Sequence, residues 1–190
     1  QAPPVLSDIE LTTLGFTENA RDTAVTSTMV ITDADNTELT TAFVQITGNY
    51  QMGQDFLVFR DTLGISGVWD EEEGKIYFSG VGPVPIADYQ TALRKVRFRN
   101  QSENPSLLTR TVTFAVSDGV NESNTVARDI SVTPVNDAPV LSGVESSALA
   151  YTENEAAKAV TGTITIADAD NMNMAAATVQ ITGNYASGED

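Results

Sequence analysis

Residues 3–55 return as residues 138–190 without a gap, at a constant offset of 135, and 28 of the 53 aligned positions are identical. FTEN at 16–19 reappears as YTEN at 151–154, ITDADN at 31–36 as IADADN at 166–171, and VQITGNY at 44–50 recurs unchanged at 179–185. A period this long exceeds that of the helical and leucine-rich solenoids, so each unit should be a domain with its own core. The chain then holds one complete repeat, 1–137, and the N-terminal part of a second copy, 138–190. The second copy stops before the strands that would close its core. The expectation is either a stretch of a longer array or a partner that supplies the missing strands.

Strand patterns dominate the first repeat. Segments 26–32, 42–47, 56–60, 75–79, 95–99, 109–116 and 125–132 are rich in Val, Ile, Thr, Phe and Tyr, and several alternate apolar with polar. Gly, Asn, Asp and Pro fill the intervals. Seven or more short strands with turn chemistry between them predict an all-β chain of β-sandwich repeats. One helical turn is expected in 86–96, where Ile86, Tyr89 and Leu93 stand at near-helical spacing. Between the copies, Pro134 and Pro139 bracket Asn136 and Asp137 and predict a short, stiff linker.

Acidic residues outnumber basic ones 26 to 10, for a net charge of −16. That balance argues against nucleic acid or an anionic membrane as a partner and makes cations the natural counterpart. The chain has no cysteine and no histidine. This removes disulfides, thiolate and imidazole metal sites, and the Ser-His-Asp and Cys-His arrangements, and the expectation is that the protein is not an enzyme. No apolar run of membrane-spanning length is present, so no direct membrane insertion is expected of this segment.

The two Asp-Ala-Asp triplets are the first candidates for chemistry: Asp33 with Asp35, and Asp168 with Asp170. Carboxylates at i and i+2 on extended backbone point the same way and form half of a hard-cation site. The competing reading is an Asp/Asn turn that bonds its own backbone. Glu18 in the first TEN segment, Asp118 in a Ser-Asp-Gly turn, and Asn136 with Asp137 in the linker add further oxygen ligands.

In that order these elements resemble the cadherin domain. The stretch 86–119 departs from an ordinary cadherin repeat and is similar to the cadherin-like repeats of large bacterial surface adhesins and of chondroitin-sulfate proteoglycans. The resemblance implies Ig-like sandwiches with Ca2+ at the junctions between repeats, and a secreted, cell-surface, bacterial adhesin or filament that mediates adhesion. Its partners would be neighbouring repeats of the same or identical chains, and surface glycans. Carried across residue by residue, it implies a junction site of Glu18, Asn136, Asp137, Asp168 and Asp170, and a half-site of Asp33, Asp35 and Asp118 facing a preceding repeat. Asp88 is the nearest counterpart of a further acidic ligand. Pro134 stands where such a linker opens with Asp, and one Asn is missing after Asp137, so fewer ions or weaker binding should follow.

Two other functions are open. Lys95, Arg97 and Arg99 alternate with apolar residues, which suits either an acidic glycan or a solvated, charged strand edge. Trp69 and Tyr77 suit either a sugar ring or core packing. A carbohydrate-binding module and a strand-donating polymer subunit are the alternatives to the adhesin repeat. The acidic stretch WDEEEGK at 69–75 reads as a solvated hairpin turn.

Overall fold

The computed structural model describes residues 1–190, which divide into two units, Gln1–Val135 and Asn136–Asp190. The first unit is an all-β, sandwich-like fold with one short helix. Its strands are β1 (Val5–Ser7), β2 (Leu14–Thr17), β3 (Thr23–Ala24), β4 (Val30–Thr32), β5 (Glu38–Gly48), β6 (Asp55–Val58), β7 (Ile65–Asp70), β8 (Lys75–Pro85), β9 (Arg97–Asn100), β10 (Arg110–Ser117) and β11 (Val126–Thr133); helix α1 (Ile86–Leu93) follows β8. Six strands form one sheet in the order β2-β11-β10-β5-β8-β7. Opposite it lie the three-stranded sheet β3-β9-β6 and the pair β1-β4. All pairings are antiparallel except β2 with β11, which is parallel.

Side-chain alternation explains the sheet faces. On β5, Ala42, Val44 and Ile46 point inward, and an irregularity in the β5–β8 register between Leu39 and Thr41 lets Leu39 face the same core although it lies three residues before Ala42. Ile76 and Phe78 of β8, Val112 and Phe114 of β10, and Ile130 and Val132 of β11 complete that face. Leu57 and Phe98 come from the smaller sheet. The two layers meet at an edge-to-face pair, Phe16 of β2 on Phe98 of β9, with ring centroids 5.3 Å apart. Helix α1 buries Tyr89, Ala92 and Leu93, which share one helical face, and the Tyr89 hydroxyl donates to the Thr40 carbonyl at 2.8 Å.

Several strands are shorter than their sequence suggests. Segment 26–32 becomes strand only at Val30, because Thr26 is buried and donates its hydroxyl to Glu10 at 2.6 Å instead of joining a ladder. Segment 95–99 begins its strand at Arg97, since the Lys95 and Val96 N–H groups still close the end of α1 on the Ala92 and Leu93 carbonyls. Four strands that the alternation did not single out, β1, β2, β3 and β7, are added by the sheet itself. The acidic turn forms as expected: the Asp70 carboxylate accepts the Glu72 and Glu73 N–H groups, and Gly74 takes a left-handed φ of 64° where any Cβ would strike the Tyr50 ring at 2.9 Å.

The second unit holds one antiparallel pair, β12 (Val140–Ser142) with β13 (Thr165–Ala167). None of its residues is buried.

Candidate cation-binding sites

The register of the large sheet sets two acidic clusters of the first unit apart. β10 and β11 run antiparallel with Arg110 opposite Ile130 and Phe114 opposite Val126. The end of β11 that carries Thr133 therefore lies beside the start of β10, and Asp118 follows the other end. Eight residues of strand separate the two ends by about 24 Å.

At the Thr133 end, burial of Phe16 fixes β2, and a turn follows in which Asn19 adopts a left-handed φ of 62° and the Ala20 N–H closes on the Thr17 carbonyl. Glu18 is thereby turned back onto the end of β11. Its N–H donates to the Thr133 carbonyl at 2.9 Å, and its Oε2 accepts the Val135 N–H at 2.7 Å. Oε1 of this buried residue, 4 % exposed, has no hydrogen-bond partner. A carboxylate oxygen withdrawn from water without a donor is a costly arrangement that a cation would relieve.

Glu103 stands beside it, with carboxylate oxygens of the two residues within 4.8 Å, and the Asn19 side-chain amide donates to Glu103 at 3.2 Å. The loop that carries Glu103 is held from below. Arg110, fully buried, donates to the Ser106 and Leu108 carbonyls and to Asp55 at 2.9 Å, and Asn100 donates to the other Asp55 oxygen at 2.7 Å. Sequence patterning did not single out Glu103. The available signal was that it is the sole acidic residue of the loop 101–109. Asp88 lies instead in the first turn of α1, a helix packed against β4, β5 and β8.

At the other end the fold gathers Asp33, Asp35 and Asp118. Asp33 Oδ1 accepts the Asp35 and Asn36 N–H groups, both at 3.0 Å, so the triplet is an Asx turn rather than a pair of parallel side chains on extended backbone. Asp33 Oδ2 is shielded and unpartnered. The Asn36 amide bridges Asp35 and Asp118, each at 3.3 Å. The Asp35 N–H holds the Asp33 carboxyl below its ordinary range, and the Asn121 N–H does the same for Asp118. Both groups therefore stay anionic to lower pH than a free aspartate.

Within the second unit, Asp168 Oδ1 accepts the Asp170 N–H at 3.0 Å and the Asn171 N–H at 2.7 Å. Asp170 Oδ2 accepts the Asp137 N–H, and the Asn171 amide donates to Asn136 at 3.1 Å. Asn136, Asp137, Asp168 and Asp170, distant in sequence, thus form one group in that unit. The side chains of these clusters offer carboxylate and amide oxygens as ligand atoms, the set that hard divalent cations take.

The basic stripe resolves differently. Arg99 is tied to Asp22 in a two-pronged ion pair of 2.7 and 2.8 Å, and β9 is the middle strand of its sheet, not an edge. Trp69 and Tyr77 cannot share a ligand ring. Trp69 sits opposite inward-facing Ile76, whereas Tyr77 faces outward beside Val68 and Phe43. No protein-family model matches the chain, and no curated protein matches it.

Proposed function

We propose that the chain is a stretch of an extracellular, cell-surface adhesin or filament built from cadherin-like repeats and stiffened by calcium where one repeat follows another. The observation that carries this reading is the buried, unpartnered Oε1 of Glu18 beside the Glu103 carboxylate. Glu18 holds the N–H of Val135, and Val135 is bonded directly to Asn136, which begins the second acidic group. Glu18 and Glu103 of the first unit would hold an ion through their carboxylate oxygens, and Asn136, Asp137, Asp168 and Asp170 of the second unit form a further oxygen-rich group that would do the same. Calcium supplies the positive charge that lets these carboxylates stay close, and so couples occupancy to the angle between repeats and to unfolding resistance. Asp33, Asp35 and Asp118 form the corresponding group for a preceding repeat.

Calorimetric titration of calcium into chelator-treated protein, with thermal melts alongside, tests the reading. Binding in the micromolar to millimolar range with a raised melting temperature is expected. Glu18→Gln and the Asp168→Ala/Asp170→Ala pair should each weaken it. No heat and no melting shift at millimolar calcium would refute it.

A further inference from the structure

We propose that the edge of the sandwich where β6 of the small sheet meets β7 of the large one, continued along β6 toward Arg97, is a binding groove for an acidic oligosaccharide, of the class that carries a uronic acid carboxylate. Two adjoining clefts, of about 190 and 440 Å³, share Val58 and Phe59 in their walls. One is walled by Phe56 and Trp69, whose ring centroids are 6.2 Å apart, and the other by Arg60, Lys95 and Arg97. From Phe56 to Arg60 the backbone covers about 13 Å, longer than one sugar ring.

Charge is the first reason. The chain has 10 basic residues against 26 acidic ones, yet three of the basic residues are exposed around one cleft with no ion pair among their contacts. Arg97 donates to the Asp22 carbonyl at 2.9 Å and Lys95 reaches the Thr62 hydroxyl at 3.5 Å; of the neighbouring carboxylates, Asp22 is occupied by both prongs of Arg99, and Asp61 accepts the Gly67 N–H at 3.1 Å rather than pairing with a cation. Three like charges held together in so acidic a chain leave a local positive field that an anion would neutralise.

Shape is the second. Phe59 is fixed by an edge-to-face contact with Phe78, centroids 4.9 Å apart, and lies over Gly67, where a Cβ would strike its ring at 2.8 Å. Gly67 thus lets an aromatic wall run the length of the groove. Aromatic faces beside guanidinium groups suit a pyranose ring with a pendant carboxylate. The shielded Trp69 Nε1–H has no acceptor in the protein, and a small outward tilt of the indole would offer it to a ligand oxygen. An inorganic polyphosphate chain has no apolar ring face to lie against Phe56, Phe59 and Trp69. None of these residues belongs to the acidic clusters, so the groove stands or falls apart from the calcium reading.

Trp69 is the sole tryptophan, so its emission reports directly on the groove. The test titrates the full chain with an oligogalacturonate hexamer, a cellohexaose control and an oligothymidylate, at low and physiological salt. Saturable change with the oligogalacturonate is expected, weaker at higher salt, at least tenfold weaker in Arg60→Gln/Lys95→Gln/Arg97→Gln, and unchanged in Lys75→Gln, whose cation lies over Phe43 and Tyr77 of the large sheet. A thermal melt of the triple variant matching the parent keeps a loss of binding from being a loss of fold. No binding at millimolar oligogalacturonate, equal binding of cellohexaose, tighter binding of the oligothymidylate, or equal weakening by Lys75→Gln would each overturn the proposal.

Discussion

Residues 3–55 and 138–190 are nearly the same polypeptide in two settings. In the first copy Leu6, Phe16, Ile31, Val44 and Ile46 are each at most 4 % exposed; their counterparts Leu141, Tyr151, Ile166, Val179 and Ile181 are between 51 and 91 % exposed. VQITG is central strand in one place and has no strand partner in the other. The difference lies in what surrounds them: β5 is paired on both sides, by β8 and β10, and β2 is paired by β11, whereas no counterparts of those three strands lie within residues 138–190. A strand with high β-propensity does not form on that propensity alone, because an unpaired ladder gains nothing to offset the ordering of its backbone.

The largest effect should come from supplying those partners. Appending residues 56–137 after Asp190 should give the second copy its own sandwich, seen as strong hydrogen-exchange protection across 173–183 and a second cooperative unfolding transition. Lack of protection there would place the cause in the 25 positions, 53 less 28, at which the copies differ.

Next in size are paired substitutions. Asp55→Ala leaves fully buried Arg110 without its carboxylate and should cost the first unit about 3–5 kcal/mol in denaturant unfolding. Asp190→Ala, at the matching position of the second copy, should stay within about 0.5 kcal/mol. Ile46→Ala against Ile181→Ala should divide the same way, about 2–5 kcal/mol against none. Equal effects within either pair would mean that the second copy has a core after all.

The smallest effect probes what the copies share. Burial pushes the Glu10 carboxyl up, but the Thr26 hydroxyl and the Ser27 N–H outweigh it and hold the group at about 2. The Gly162 N–H and Thr161 hydroxyl likewise hold Glu145 at about 2. Since the folded value lies below the unfolded one, the contribution is complete above about pH 4.5 and is lost as pH falls toward 2. Glu10→Gln should cost about 1–2 kcal/mol near neutral pH and flatten that acid limb, as read from melts across pH 2–6. Glu145→Gln should only speed exchange of the Gly162 N–H.

Much of the candidate site was legible in the chain. Asp33 and Asp168 stood out as Asp-Ala-Asp triplets, but the choice between parallel carboxylates and Asx turns was made only where the N–H groups of Asp35 and Asn36, and of Asp170 and Asn171, close on them. Glu103 was hidden because its role depends on β2 and the loop after β9, more than 80 residues apart in sequence, being brought together around Phe16, Phe98 and the Arg110 clasp. The groove was half legible: Lys95 and Arg97 stood out, but Arg60 joined them, and Arg99 left for Asp22, only through cross-strand pairing.

The copies also show where determination by sequence stops. The β1–β4 register, Val5 with Thr32, returns as Val140 with Ala167; the glutamate clasp, the Asx turn and the left-handed Asn19 and Asn49 return as Glu145, Asp168, Asn154 and Asn184, all without a buried core. These features close hydrogen bonds over short stretches of chain, where loop closure is cheap and turn residues suffice. Strand identity for 14–17 and 38–48, the burial of Phe16 and Val44, and the gathering of Glu18 with Glu103 required segments far along the chain. Only the tertiary structure decided those, because a β-ladder and an apolar core exist only when their distant partners are present.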